Sequence, residues 1–222
     1  MKENINRKER NLEKTRELIL RTAAEEFSEY GFSGARVDRI SRNAGCNKAM
    51  IYYIFKNKHE LHLAVLENLF EEKIREVESH FREEKTSLTD LFPMLAGYLK
   101  VFFNNPAYAR IILYDIATGA ETLRELKQRR PDLFSELDTI ADMLDGLGRA
   151  GIIRRLDPDK SVTVIVLLVV GLANILPHMD LIASPGTRKF KELSNQDKWL
   201  AFLADVLAVI LQPSKPDGCG EQ

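Results

Sequence analysis

An all-α fold is predicted by three observations. Apolar residues recur at spacings of three and four along almost the whole chain, the period that lets a helix bury one side. Glycine, proline and asparagine interrupt that pattern where helices would stop and restart. Only SVTVIVLLVV, residues 161–170, reads like a buried strand, and no second run of that kind exists for it to pair with. The expected layout is a three-helix head at residues 10–70, a long helix leading out of it, a helical second domain over residues 71–212, and a disordered Pro/Gly-rich tail at 213–222.

The 222 residues give ample length for a buried core, as one large or two small domains. The net charge of −1 conceals an imbalance: residues 1–62 hold 13 lysines and arginines against 9 acids, and the remainder holds 19 against 24. The positive surplus falls on the head, which suits a partner made of phosphates. Cys46 and Cys219 offer neither a disulfide framework nor metal-ligand spacing, so no metal or other cofactor is expected, and a reducing compartment is the simplest setting. The first fourteen residues are too charged for a secretory signal. The apolar run 162–176 is broken by Thr163, Gly171 and Asn174 and falls short of the ~20 residues of a membrane span. It reads as a buried helix, and a cytoplasmic protein with no membrane partner is expected.

Residues 1–13 form a mixed-charge arm, expected to be solvated and frayed, with contact to a nucleic-acid backbone as the alternative. Helix 1 follows at about 12–30, where Ile19, Ala23, Phe27 and Tyr30 share a face and Gly31 ends it. RVDRISRNAGCNKAMIYYIFKNK, residues 36–58, then holds two short helices around a turn. Val37, Ile40 and Ala44 share one face of the first. Gly45 supplies a left-handed turn without steric cost, and Asn47 caps a second helix starting at about Lys48. That is the pattern of a helix-turn-helix. Asn57 caps the long helix, whose positions Leu63, Leu66, Phe70, Ile74, Val77 and Phe81 step by three or four over ~25 residues, roughly 40 Å.

In the second domain, Leu88, Leu91, Phe92, Leu95, Leu99 and Phe102 trace a helix stopped by Asn104-Asn105-Pro106. A further helix over about 107–118 is broken by Gly119. A short one ends in the basic run 127–130, and another carries Leu133, Leu137, Ile140, Leu144 and Leu147. Asp157-Pro158-Asp159 is a cap, a proline for the first helical position and an acid for the first turn, so the run from Val162 is assigned as helix. A last helix, about 196–211, carries Trp199, Leu203, Val206 and Ile210 on one side. Together with the helix before it, which contributes Val166 and Val170, it offers more apolar surface than one core needs, and these residues are the expected dimer interface.

The run LILRTAAEEFSEYGFSGARVDRISRNAGCNKAMIYYIFKNKHELHLAVL resembles the N-terminal domain of TetR-family transcriptional regulators. Its landmarks are Ala24, Phe27, Gly31-Phe32, Val37, Ile40, Ala44-Gly45, Tyr52, Phe55, Lys58 and Leu61. The resemblance implies a homodimer that binds a near-palindromic DNA operator and represses, releasing it when a small molecule enters the C-terminal domain. The alternative is a regulator or activator controlled by a protein partner instead of a ligand. No nucleophile–base pair, metal cluster or Gly-rich phosphate loop is present, so an enzyme is not expected.

On this resemblance the DNA-binding residues are Lys48, Ala49, Met50, Tyr52 and Lys58, with the capping Asn47 and the neighbouring Tyr53 beside them. Lys48 reaches base edges or phosphate, Ala49 lets the helix approach the groove, and Met50 either packs or touches a thymine methyl. Tyr52 and Lys58 hold phosphate. The chain departs from the family where Ala35 replaces the usual capping threonine, leaving Ser33 or Gly34 to cap, and where Arg39 replaces a frequent acid. Arg36 and Arg39 are each placed to touch DNA, Arg36 by preference, with a salt bridge to Asp38 as the alternative. His59 and His62 in HELH lack a third ligand and are explained by exposure and packing. For the small, largely apolar effector, Tyr98, Phe102, Tyr114, Asn174 and His178 are the candidate contacts.

Overall fold

The computed structural model describes residues 2–78 and 104–175, with 97, 100–102, 178, 202 and 205–206 as isolated positions or short runs. Eight α-helices are described: α1 Lys2–Gly34, α2 Val37–Asn43, α3 Lys48–Phe55, α4 Lys58–Glu78, α5 Pro106–Ala117, α6 Glu121–Arg129, α7 Ser135–Arg149 and α8 Pro158–Ile175, with a 3-10 turn at Pro131–Phe134. Among the described residues there is no strand, and the chain is all-α with its helix-turn-helix at the N-terminal end. Two compact units are formed, one from 1–72 and 105–133, the other from 73–104 and 134–222. In packing, Asn105–Leu133 therefore goes with the head, although in chain order it lies in the stretch assigned to the second domain.

The first unit is built on α1. Its apolar face, Ile19, Leu20, Ala23 and Phe27, is buried and packs against α2 and α5. The helix starts earlier than expected, at Lys2 instead of about residue 12, so the mixed-charge arm is helical. Gly31 breaks it as the spacing predicts, with φ 62° and ψ 176°. A side chain there would also meet the ring of Tyr114 on α5, 3.5 Å from the position of a Cβ. Gly45 has φ 63° in the α2–α3 turn, where a residue with a Cβ pays for the left-handed conformation. Asn57 caps α4 by accepting from the Glu60 N–H at 2.9 Å.

Ion pairs bind α4 to α6 and to the residues just beyond it. Arg129 pairs with Glu60 at 3.1 Å, and Arg130 bridges Glu67 and Glu71 while also holding Asp132. His59 meets Glu125 at 2.7 Å.

In the second unit α7 packs on α8. Ile140, Leu144 and Leu147 are buried, as are Val162, Val169, Val170 and Ala173. A buried Lys73–Glu136 ion pair lies in the same unit, and loss of hydration pushes the lysine's pKa down. The Asp157 cap forms as the sequence predicts: its carboxylate accepts from the Lys160 N–H at 3.0 Å, which holds its pKa below the usual range.

α8 is less buried than expected. Val164, Leu167, Leu168 and Ile175 are exposed, Leu167 to 67%, while Val166 is half-buried and Val170 buried. The expected interface residues Val166 and Val170 thus lie away from the open stripe. The cause is that an apolar helix packs through one face only, and this one is apolar at nearly every position, so composition cannot choose the face. By length and composition α8 also meets the minimum for crossing a membrane. Gly171 lies in register with the open stripe, and a Cβ there would meet nothing within 4 Å among the described residues. Val206 is half-buried, and Trp199, Leu203 and Ile210 lie outside the described residues.

Candidate nucleic-acid interface

α3 presents two faces of opposite chemistry. Ile51 and Phe55, one turn apart, are buried in the core. The helical period then sets Lys48, Ala49, Tyr52 and Tyr53 on the other side, at i, i+1, i+4 and i+5, and Lys56 follows just past the helix end. All five are exposed, Tyr53 to 77%. Met50 and Ile54 are half-buried, which gives Met50 both a packing role and an edge at the surface. The helix is fixed at its start by Asn47, whose side-chain oxygen accepts from the Met50 N–H at 2.7 Å.

Lys56 was not among the residues expected from the sequence. It follows the last residue of α3 at φ 64° and ψ −53°, a costly conformation for a residue with a Cβ, and its N–H donates to the Tyr52 carbonyl at 2.9 Å. The cost lets the chain turn from α3 into α4 within two residues and leaves Lys56 at the end of the outward stripe. Its spacing of eight from Lys48 was the available signal.

Two arginines separate in role. The Arg36 guanidinium has no ion-pair partner among the described residues, so it is free to meet a phosphate or a base. Arg39 is engaged internally: its Nε donates to Glu26 at 2.7 Å, a terminal nitrogen donates to the Gly34 carbonyl at 3.0 Å, and the guanidinium lies 4.1 Å from the Tyr30 ring centre. Glu26 is only 5% exposed and also accepts the Arg36 N–H at 2.8 Å. That bond replaces the expected side-chain cap. Arg36 is itself the residue before α2, and neither Ser33 nor Gly34 caps the helix. Glu26 was missed because Glu25 and Glu26 adjoin in an amphipathic helix and only the phase of burial separates them. Asp38 pairs with neither arginine; it holds Lys48 across the turn at 3.0 Å, raising the lysine's pKa.

Lys58 opens α4. Its ammonium donates to the Ser33 carbonyl at 3.4 Å and lies 4.8 Å from the Phe32 ring centre, and partial burial lowers its pKa. It therefore joins the end of α1 to the start of α4 on the same surface. Cys46, half-buried in the turn, has a thiol whose pKa burial raises.

The expected effector residues do not share one site. Tyr114 borders a cavity of about 380 Å³ in the first unit, together with Phe27, Tyr30, Phe32, His59, His62 and Asp115. Phe102 is buried and His178 exposed. The Asn174 amide donates to the Val170 carbonyl of its own helix at 2.8 Å, which uses the polarity that singled it out. Tyr98 lies outside the described residues.

An outward stripe of lysine, alanine and tyrosine on the second helix of a helix-turn-helix has the chemistry that suits a nucleic-acid groove and its phosphates. The family model for bacterial regulatory proteins of the tetR family matches residues 19–65, from the middle of α1 through the first two turns of α4. The chain carries a TetR-family DNA-binding domain. It is a DNA-binding transcriptional regulator.

Among its relatives, the HTH-type transcriptional regulator RutR of Escherichia coli (strain K12) is 25% identical over 170 residues, 77% of this chain and 79% of that protein. The HTH-type transcriptional repressor NicS of Pseudomonas putida is 43% identical over 58 residues, 26% of this chain and 27% of its own. A tetR-family regulatory protein from Rhodococcus RHA1 superposes with a TM-score of 0.72 at 15% identity, covering 91% of this chain and 99% of that one. AibR, crystallised with isovaleryl coenzyme A and operator DNA, has a TM-score of 0.70 at 18% identity, covering 90% and 100%. At these identities the structural likeness speaks for the shared TetR fold.

Proposed function

We propose that the chain is a homodimeric repressor that binds a near-palindromic operator and leaves it when a small molecule enters the protein. The carrying observation is the outward stripe of α3, with its exposed lysines and tyrosines over a buried Ile51–Phe55 face. In this reading Tyr52, Tyr53, Lys56 and Lys58 hold phosphates, which set register and orientation without reading sequence. Arg36, Lys48 and the exposed edge of Met50 read bases, Ala49 admits the helix to the groove, Asn47 fixes its start, and Arg39 positions α2 through Glu26. Residues 10–70 carry DNA binding; residues 71–212 carry dimerisation and regulation.

Dimerisation falls to the open stripe of α8 with the last helix expected from the sequence, which carries Trp199, Leu203, Val206 and Ile210. Two recognition helices on a two-fold axis must sit about one DNA turn apart, roughly 34–36 Å or a multiple, so any change in their separation changes affinity. An effector acts only if it binds the DNA-free form more tightly than the DNA-bound one. The ion pairs from Arg129 and Arg130 to α4 supply a route within the first unit from α6 to Lys58. The repressor name of NicS and the ligand and operator bound to AibR support this reading. The chain works in the cytoplasm, beside its DNA.

Selection of bound fragments from random DNA, repeated with a metabolite extract, tests the proposal. Two inverted half-sites about one helical turn apart, with affinity lowered by the extract, are expected. A single asymmetric site would overturn the dimer, and an affinity that no extract lowers would overturn ligand control.

A further inference from the structure

The 380 Å³ cavity in the first unit lies between the end of α1, the start of α4 and the α5–α6 corner, behind the DNA-facing surface. Its size falls within the range of small-molecule sites. Phe27, Tyr30, Phe32 and Tyr114 give it aromatic walls.

Two residues that are buried overall keep a polar atom open to this space. Asp115 accepts the Leu123 N–H through Oδ2 at 2.9 Å, and its Oδ1 has no hydrogen-bond partner among the described residues. His62, 2% exposed and packed edge-on to Phe27, has Nδ1 3.3 Å from the Thr122 hydroxyl, and its Nε2 likewise has no such partner. Loss of hydration pushes the imidazole down to about 4, so near neutral pH it carries no charge to balance Asp115. Glu121 adds a second acid to the lining, and no lysine or arginine is among the described lining residues. Two cations touch its rings from outside and are engaged there: Lys58 lies on Phe32 and donates to the Ser33 carbonyl, and Arg39 lies on Tyr30 and donates to Glu26. A carboxylate oxygen that opens onto an enclosed space, with aromatic faces beside it and no paired cation, favours a positive group.

We infer that this cavity binds a small organic cation with an aromatic or apolar body, its ammonium or amidinium on Asp115 and its ring among Phe32, Tyr30 and Tyr114. The inference deepens the proposed ligand control and rests on it only for the effect on DNA. That effect has a short path. The occupant would press on Gly31–Ser33 and on the first turn of α4, the two segments that Lys58 ties together.

The test titrates the full chain with 2-phenylethylamine, and with 2-phenylethanol and phenylacetate, which keep the ring and change the charge. The amine is expected to bind at least about tenfold more tightly than either, as a charge-assisted hydrogen bond requires, and to shift the His62 ring resonances. Asp115→Asn, which keeps the acceptor for Leu123, should erase the preference. Thr118→Phe, at an exposed position of the lining, should block the amine by filling the space and serves if Asp115→Asn fails to fold. Equal affinity for the three compounds, or amine binding that survives both substitutions, overturns the assignment. Operator anisotropy separates this from the broader reading: a metabolite that releases DNA equally from wild type and Asp115→Asn upholds ligand control and overturns the cavity as its site. Amine binding without release upholds the cavity and overturns its regulatory use.

Discussion

The outward stripes of α3 and α8 obey the same helical period and differ in what they display. α3 shows lysines and tyrosines, polar tips on apolar stems, over a buried Ile51–Phe55 face. α8 shows bare aliphatics at Val164, Leu167, Leu168 and Ile175. A tyrosine or lysine stripe is stable in water and can exchange water for phosphate oxygens. An aliphatic stripe gains only by leaving water, at about 25 cal/mol per Å². One period thus specifies two classes of partner, and the side chains decide which.

The sharpest way to break this comparison is a charge on α8. Leu167→Glu should give a monomer by sedimentation and lower operator affinity by about a hundredfold to ten-thousandfold, the gain that linking two binding modules supplies. An intact dimer would show that the stripe is covered otherwise. Val170→Glu should instead lower the melting temperature, because Val170 is buried within its own unit.

Acid should sharpen the contrast. His62 is held near 4 in the folded head against about 6.5 unfolded, so the unfolded chain binds more protons between those values. Its stabilising contribution is complete above about pH 6.5 and falls as pH drops toward 4, by roughly 3 kcal/mol in total. Denaturation of wild type and His62→Gln across that window should converge at low pH. Val164, Leu167, Leu168 and Ile175 carry no titratable group, so His62→Gln should leave the sedimentation behaviour unchanged.

Much of the α3 side was legible in the sequence. Gly31, Gly45 and the caps Asn47, Asn57 and Asp157 are local signals, each requiring a conformation or a bond that few residues supply, and each forms as expected. Burial phase and pairing were not legible. Nothing local distinguishes Glu26 from Glu25, or tells that Asp38 selects Lys48 across a turn, or which side of the uniformly apolar α8 meets α7. The cavity brings together side chains about ninety residues apart in the chain, between Phe27 and Thr122, which no pattern reading joins.

Intermediate effects follow for the fixing of the head. Glu26→Ala removes the acceptor shared by Arg39 and the Arg36 N–H, and should lower the melting temperature by roughly 5 °C while weakening operator binding. If Arg39 instead contacts DNA directly, Arg39→Ala will weaken binding with no loss of thermal stability. Tyr52→Ala and Lys58→Ala should each cost about tenfold on operator and random DNA alike, with the Lys58 change also reducing the salt slope by about one. A change in base preference would move either residue to the reading set. The smallest effect is expected at Asp38→Asn, which frees Lys48 from an exposed pair and should raise affinity about twofold in an anisotropy titration.

Gly171 carries a consequence of a different kind. A Cβ at this position would meet nothing within 4 Å among the described residues, so tests of folding alone should pass a small side chain there. In a dimer built on the open stripe, the same position decides how closely two backbones can cross. Gly171 is then a residue whose fitness cost is invisible to one molecule and is set by the company it keeps, and mutational tolerance measured on monomer stability would misjudge it.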